Sequence, residues 1–86
     1  MTFEEIVKLA AGRKKDGPAE SSTAALLKAG THAIGKKLVE EAAESWMAAR
    51  FETKEQLTLE LSQVLYYVAV LMADKGISTE EVYKKL

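Results

Sequence analysis

Two stretches of this sequence carry the residue types of metal-assisted chemistry: Glu40, Glu41 and Glu44 in the string KKLVEEAAE, and Glu60 and Gln63 in the string ELSQVLYY. If both are helical, a turn of about 100° per residue sets Glu41 between Ile34 and Ala48, at the edge of the face that buries. Glu44 and Lys37 then lie beside it, and Glu40 one step further round. The same arithmetic sets Glu60, Gln63 and Tyr67 in one row next to the apolar stripe of the following helix. An unpaired carboxylate at a core edge is costly, and like charges three or four residues apart lose about 0.2–0.5 kcal/mol each. Such a cluster calls for a cation. Lys36 and Lys37 offset part of the charge, although Lys placed N-terminal to Glu is the weaker order. Antiparallel pairing of the helices would bring Glu41 and Glu44 opposite Glu60 and Gln63, three carboxylates and an amide oxygen in one pocket. Hard oxygen donors suit Mg²⁺ or Mn²⁺ rather than zinc or copper, and Mg²⁺ also takes phosphate oxygens, which points to a phosphorylated substrate. A plainer reading stands beside this one. Glu-Glu-x-x-Glu on a helix is ordinarily a solvated face, Arg13-Lys14-Lys15 a solvated loop, His32 a surface residue, and Trp46 and Tyr66-Tyr67 core or subunit contacts. Spacing by itself stops at a candidate metal site.

The elements that must position these groups are helices. The periodic segments are rich in Ala, Leu, Glu and Lys, and no Val/Ile/Thr run alternates with polar residues, so an all-α fold is expected. Thr2 with Glu5 forms a capping box opening a short helix with a Phe3, Ile6, Val7, Ala10 stripe, which Gly12 is expected to stop. Gly12 to Ser22 holds the single proline and two glycines and is expected to be a loop. Ser21 or Ser22 caps a short segment, Thr23 to Ala29, ending at Gly30. Thr31 is expected to cap a long helix to about Arg50, with Ile34, Leu38, Ala42, Ser45 and Ala49 inward. Thr53 with Gln56 is a second capping box and opens a helix from Lys54 to Lys75. Leu57, Leu61, Val64, Leu65, Val68, Leu71 and Met72 line its expected apolar face. Ser78 with Glu81 caps a last short helix that turns Val82 and Leu86 inward. The two long helices make an antiparallel hairpin.

Composition bounds what such a hairpin can do alone. The 86 residues form one domain, 1–86, and a chain this short buries only about 60–65% of its unfolded surface. There is no cysteine, which removes disulfides and thiolate zinc. Self-association or oxygen-ligated metal remains as support. A formal net charge of −1 argues against a nucleic-acid binder. No fully apolar run approaches the about 18–20 residues of a membrane span, and Met1-Thr2-Phe3-Glu4-Glu5 is no signal sequence, so a cytoplasmic protein is expected.

From Arg13 to Leu86 the chain resembles the phosphoribosyl-ATP pyrophosphohydrolases, all-α enzymes of the MazG-like nucleotide pyrophosphohydrolase superfamily. The superfamily signature, E-x-x-E on one helix and E-x-x-D on the next, reads here Glu41-x-x-Glu44 and Glu60-x-x-Gln63. The family's KK-x-G-EE-x-x-E string reads KKLVEEAAE. Arg13 precedes Pro18-Ala19-Glu20-Ser21-Ser22-Thr23, and Leu65-Tyr66-Tyr67, Val70-Leu71 and Gly76-Ile77-Ser78 follow in the family's order. Gln63 stands where Asp is usual, Tyr67 where His is usual, Ser22 for Tyr and Val39 for Gly. The resemblance implies hydrolysis of phosphoribosyl-ATP to phosphoribosyl-AMP and pyrophosphate, the second step of histidine biosynthesis. It implies Mg²⁺, with Mn²⁺ as a substitute, on Glu41, Glu44, Glu60 and Gln63, and Glu40 as a general base or second-metal ligand. Arg13, Lys15, Lys36 and Lys37 would contact phosphates. A homodimer or higher even oligomer is expected to complete a four-helix-bundle-like core. The alternatives are a pyrophosphohydrolase for another nucleoside triphosphate, or a non-catalytic helical dimerisation module.

Overall fold

The computed structural model describes residues 1–18 and 20–86; Ala19 of the Pro18 to Thr23 stretch lies outside them. The chain folds as α1 (Phe3–Asp16), α2 (Ser22–Ala29), α3 (Thr31–Phe51), α4 (Lys54–Lys75) and α5 (Thr79–Tyr83), with no strand among the described residues. The all-α expectation holds, and α3 and α4 form the hairpin.

Helix α1 corrects the sequence reading. It runs through Gly12 to Asp16, so Arg13, Lys14 and Lys15 are its last turn and not a loop. A glycine inside a helix costs about 1 kcal/mol relative to alanine. Here that cost is offset: three cations sit at the negative end of the helix dipole, and Lys14 Nζ donates to the carbonyls of Asp74 and Ala73, at 2.7 and 3.3 Å, closing the end of α4. The helix ends at Gly17, where the backbone turns extended (φ −70°, ψ 134°), and nothing larger than glycine fits there. A Cβ there would lie 2.4 Å from the Arg13 carbonyl oxygen and 2.5 Å from the Ala24 Cβ.

The caps follow the sequence with two exceptions. Thr2–Glu5 and Ser78–Glu81 are full capping boxes, and Ser21 caps α2. Thr31 is not a cap: Gly30 occupies that place at φ +105°, a conformation closed to residues with a Cβ, and makes the whole α2–α3 connection. The Thr31 hydroxyl instead donates to Asp74 Oδ2 at 2.6 Å, tying the start of α3 to the end of α4. At Thr53 only half the box forms. Its hydroxyl accepts from the Gln56 N–H at 3.2 Å, while the Gln56 side chain turns away to Glu60.

The core sits at one end of the hairpin. Ala10, Ile34, Val70 and Ala73 are buried together, with Leu26, Leu27, Tyr66 and Leu71 packed around them. Small residues dominate because α1 crosses close over α4. The row of α3 that buries is Ile34, Ser45 and Ala48, with Leu38 and Glu41 half-buried, whereas Ala42 and Ala49, expected inside, are exposed. On α4, Leu61 and Leu65 of the expected apolar face are half exposed, and Leu86 is 98% exposed because α5 ends three residues before it. Val39, Trp46, Met47, Phe51, Leu59, Leu61 and Leu65 of α3 and α4 are large apolar side chains left about half exposed or more. Helix α4 is also long and apolar enough, by length and composition, to cross a membrane. Its polar row, Gln56, Glu60 and Gln63, is nevertheless turned into the protein rather than left on an outer face.

Candidate functional site

Helix α3 contributes Glu41 and Glu44, one turn apart, and α4 contributes Glu60 from the opposite wall of the hairpin. One carboxylate oxygen from each lies within 4.8 Å of the others. A divalent ion with bonds of about 2.1 Å reaches all three after small side-chain rotations. Glu44 is exposed and Glu41 half-buried, whereas Glu60 is only 9% exposed. Its Oε1 accepts from Gln56 Nε2 at 3.0 Å. Its Oε2 is buried with no hydrogen-bond partner. A buried, unpartnered carboxylate oxygen costs several kcal/mol unless a cation or proton satisfies it.

Without a cation, the cluster favours a proton on Glu41. Glu41 is pushed up to about 7 by partial burial, then by hydrogen bonding with Glu60, and then by the negative charge of Glu44. Burial also raises the Tyr67 phenol, on the same α4 row; Lys37 pulls it down while Glu41 and Glu40 push it up. Tyr67 therefore stays a neutral phenol at the edge of the cluster. Behind it, Tyr66 packs edge-on with ring centroids 5.0 Å apart, and its hydroxyl hydrogen-bonds the buried Thr23 hydroxyl of α2. That bond anchors the wall of the site to α2. Ser45, buried next to Glu41, satisfies its hydroxyl on the Glu41 carbonyl at 2.9 Å.

A cross-hairpin set of three carboxylates, with one oxygen orphaned in the interior, could hold a hard cation. Sequence comparison gives it a lineage: the phosphoribosyl-ATP pyrophosphohydrolase family profile matches residues 3–86. The chain belongs to the phosphoribosyl-ATP pyrophosphohydrolase family. It is 51% identical to the phosphoribosyl-ATP pyrophosphatase of Streptomyces coelicolor, over 99% of this chain and 96% of the relative. It is 50% identical to that of Streptomyces avermitilis, with the same coverage.

In this member of the phosphoribosyl-ATP pyrophosphohydrolase family, the structure gathers some of the expected site residues and leaves others apart. Glu41, Glu44 and Glu60 come together. Gln63 lies one turn beyond Glu60 on the same row, half-buried. Glu40 is exposed beside the cluster, with Lys37 Nζ 3.7 Å from its Oε2. Lys36 is exposed on the same turn of α3. Arg13 and Lys15 belong elsewhere. They line a cavity of about 650 Å³ between the end of α1 and the outer face of α2, together with Lys14, Asp16 and Lys28 and none of the four acids. Gln56 was not foreseen as a site residue, although its i, i+4 spacing to Glu60 was legible.

Proposed function

We propose that this chain hydrolyses phosphoribosyl-ATP to phosphoribosyl-AMP and pyrophosphate, in histidine biosynthesis in the cytoplasm, with Mg²⁺ or Mn²⁺ held by Glu41, Glu44 and Glu60. The observation that carries the metal is the buried, unpartnered Oε2 of Glu60, a residue whose carboxylate lies within 4.8 Å of two others. The substrate is inferred from the family and the two relatives. Bound there, the ion supplies neutralisation of the triphosphate and polarisation of its phosphoryl oxygens. The Gln63 carbonyl oxygen completes the ligand set or holds a water beside it. Lys36 and Lys37, on the turn before the acids, face incoming phosphate charge. Arg13 and Lys15 take a more distant phosphate of the same substrate. Glu40, free apart from Lys37, accepts the proton as water adds at the anhydride between the α and β phosphates and pyrophosphate departs.

We further propose that two copies of the chain pair through the uncovered half of the hairpin, as a dimer or a higher even oligomer. Among the described residues, Ile34 and Val70 are the largest side chains buried completely, while Trp46 and Val39 are two-thirds exposed. The radius of gyration of 13.4 Å exceeds the about 12 Å of a compact domain of this length. A second apolar hairpin seated there supplies the core that one chain lacks.

The deciding experiment compares pyrophosphate release from phosphoribosyl-ATP, ATP and dCTP, with and without Mg²⁺. Release from phosphoribosyl-ATP alone, lost with EDTA, supports the reading. Release from dCTP instead would reassign the substrate, and no release from any of them would leave only a helical association module.

A further inference from the structure

We infer that Gln56 is a positioning residue for the metal centre, holding the Glu60 carboxylate so that a single oxygen faces Glu41 and Glu44. The inference rests on the metal reading given above.

Three helix starts in this chain carry a Ser or Thr cap with Glu or Gln three residues on. At two of them, Glu5 and Glu81 reach back to the backbone N–H of Thr2 and Ser78, both at 2.7 Å. At the third, Thr53 still accepts from the Gln56 backbone, yet the Gln56 side chain donates its amide to Glu60 Oε1 at 3.0 Å. The cap is left half-made and the amide is used one turn further into the helix. A glutamate would serve the cap as well as at the other two starts, but it has no hydrogen to donate and would set a like charge at i, i+4 from Glu60. The position therefore requires an amide donor.

The consequence is geometric. With Oε1 engaged along the helix by Gln56, the Glu60 carboxylate is held in one orientation, Oε2 is left buried and unpartnered, and one Glu60 oxygen lies within 4.8 Å of an oxygen of each of Glu41 and Glu44. A free carboxylate alternates between one-oxygen and two-oxygen contact with an ion; this one is restricted to one. Outer partners of this kind change metal affinity by about 10–100-fold when removed.

The test is Mn²⁺ binding to the full chain, followed by electron paramagnetic resonance and calorimetry, for wild type, Gln56→Met, Glu60→Gln and the double variant. Methionine keeps the length and helix propensity and removes the donor. The expected results are a Gln56→Met affinity about tenfold weaker than wild type, a metal-free melting temperature close to wild type, and no further loss when Gln56→Met is added to Glu60→Gln. Equal Mn²⁺ affinity of Gln56→Met and wild type, or additive losses in the double variant, would overturn the inference. Should Gln56→Met not fold, the side-chain amide protons of Gln56 in wild-type protein decide: one proton slowed in exchange supports it, and two exchanging as in free glutamine refute it. A wild-type protein that binds no Mn²⁺ removes the metal reading itself, and this inference with it.

Discussion

Glu60 of α4 reaches Glu41 of α3 across the hairpin, with an oxygen of each within 4.8 Å of the other, and partial burial followed by the contact with Glu60 raises the Glu41 carboxyl to about 7. The pair links folding, metal binding and acidity at a single point.

The first expectation concerns pH. Glu41 titrates at about 7 in the folded chain against an ordinary 4.5. Between these values the folded state binds more protons than the unfolded, so this contribution to stability is complete below pH 4.5 and is lost as pH rises through 7. The melting temperature of EDTA-treated protein should show a falling component over that window, absent in Glu41→Gln. Metal affinity runs the other way, because the same proton must leave: it should rise by up to about tenfold per pH unit below 7 and then level off. Calorimetric titrations with Mn²⁺ at several pH values read both limbs.

Removing charge from the cluster should separate stability from activity. Glu41→Gln relieves the crowding of three carboxylates, and each like-charge contact removed is worth about 0.2–0.5 kcal/mol. Metal-free Glu41→Gln should therefore melt at or above the wild-type temperature while pyrophosphate release falls at least about 100-fold, the loss expected when a charge-stabilising group is removed. A variant melting well below wild type would show that Glu41 is needed for packing.

The open half of the hairpin makes its own prediction. Trp46→Glu places a charge on a large apolar side chain that is two-thirds exposed. Light scattering coupled to size exclusion should show wild type at twice the chain mass or an even multiple of it and Trp46→Glu at the single-chain mass. The melting temperature should fall at the same time, because the buried apolar area is lost. A wild-type chain running as a monomer would refute the pairing.

Gly30→Ala tests the turn between α2 and α3. At φ +105° a Cβ is strained although nothing crowds it, so the substitution should cost about 1–3 kcal/mol. Gly35→Ala, in the second turn of α3 with open space around it, should be neutral or stabilising by up to about 1 kcal/mol. Denaturant melts of the two variants, measured together, separate backbone strain from packing.

Much of this was legible in the residues. Thr2, Ser21, Thr53 and Ser78 marked helix starts correctly because a side-chain oxygen accepting a backbone N–H is a local interaction. The acidic rows were legible for the same reason, since the helical period decides which residues share a face. The end of α1 was misplaced at Gly12, where a weak local signal lost to Lys14 closing the end of α4, sixty residues away. Thr31 was misread as a cap because its hydroxyl finds Asp74 on another helix.

The sequence by itself determined five helices, their order and two candidate rows on α4: the apolar one through Leu57, Leu61, Val64 and Val68, and the polar one through Glu60, Gln63 and Tyr67. Both rows satisfy the helical period, so no local rule ranks them. Only the tertiary structure decided that the polar row turns toward the acids of α3 while Leu61 stays half exposed. The physical reason is that burial belongs to the pair of surfaces and not to one helix. The small residues Ala69 and Ala73 let α1 close over one end of α4, and that contact sets its rotation and carries Glu60 to Glu41.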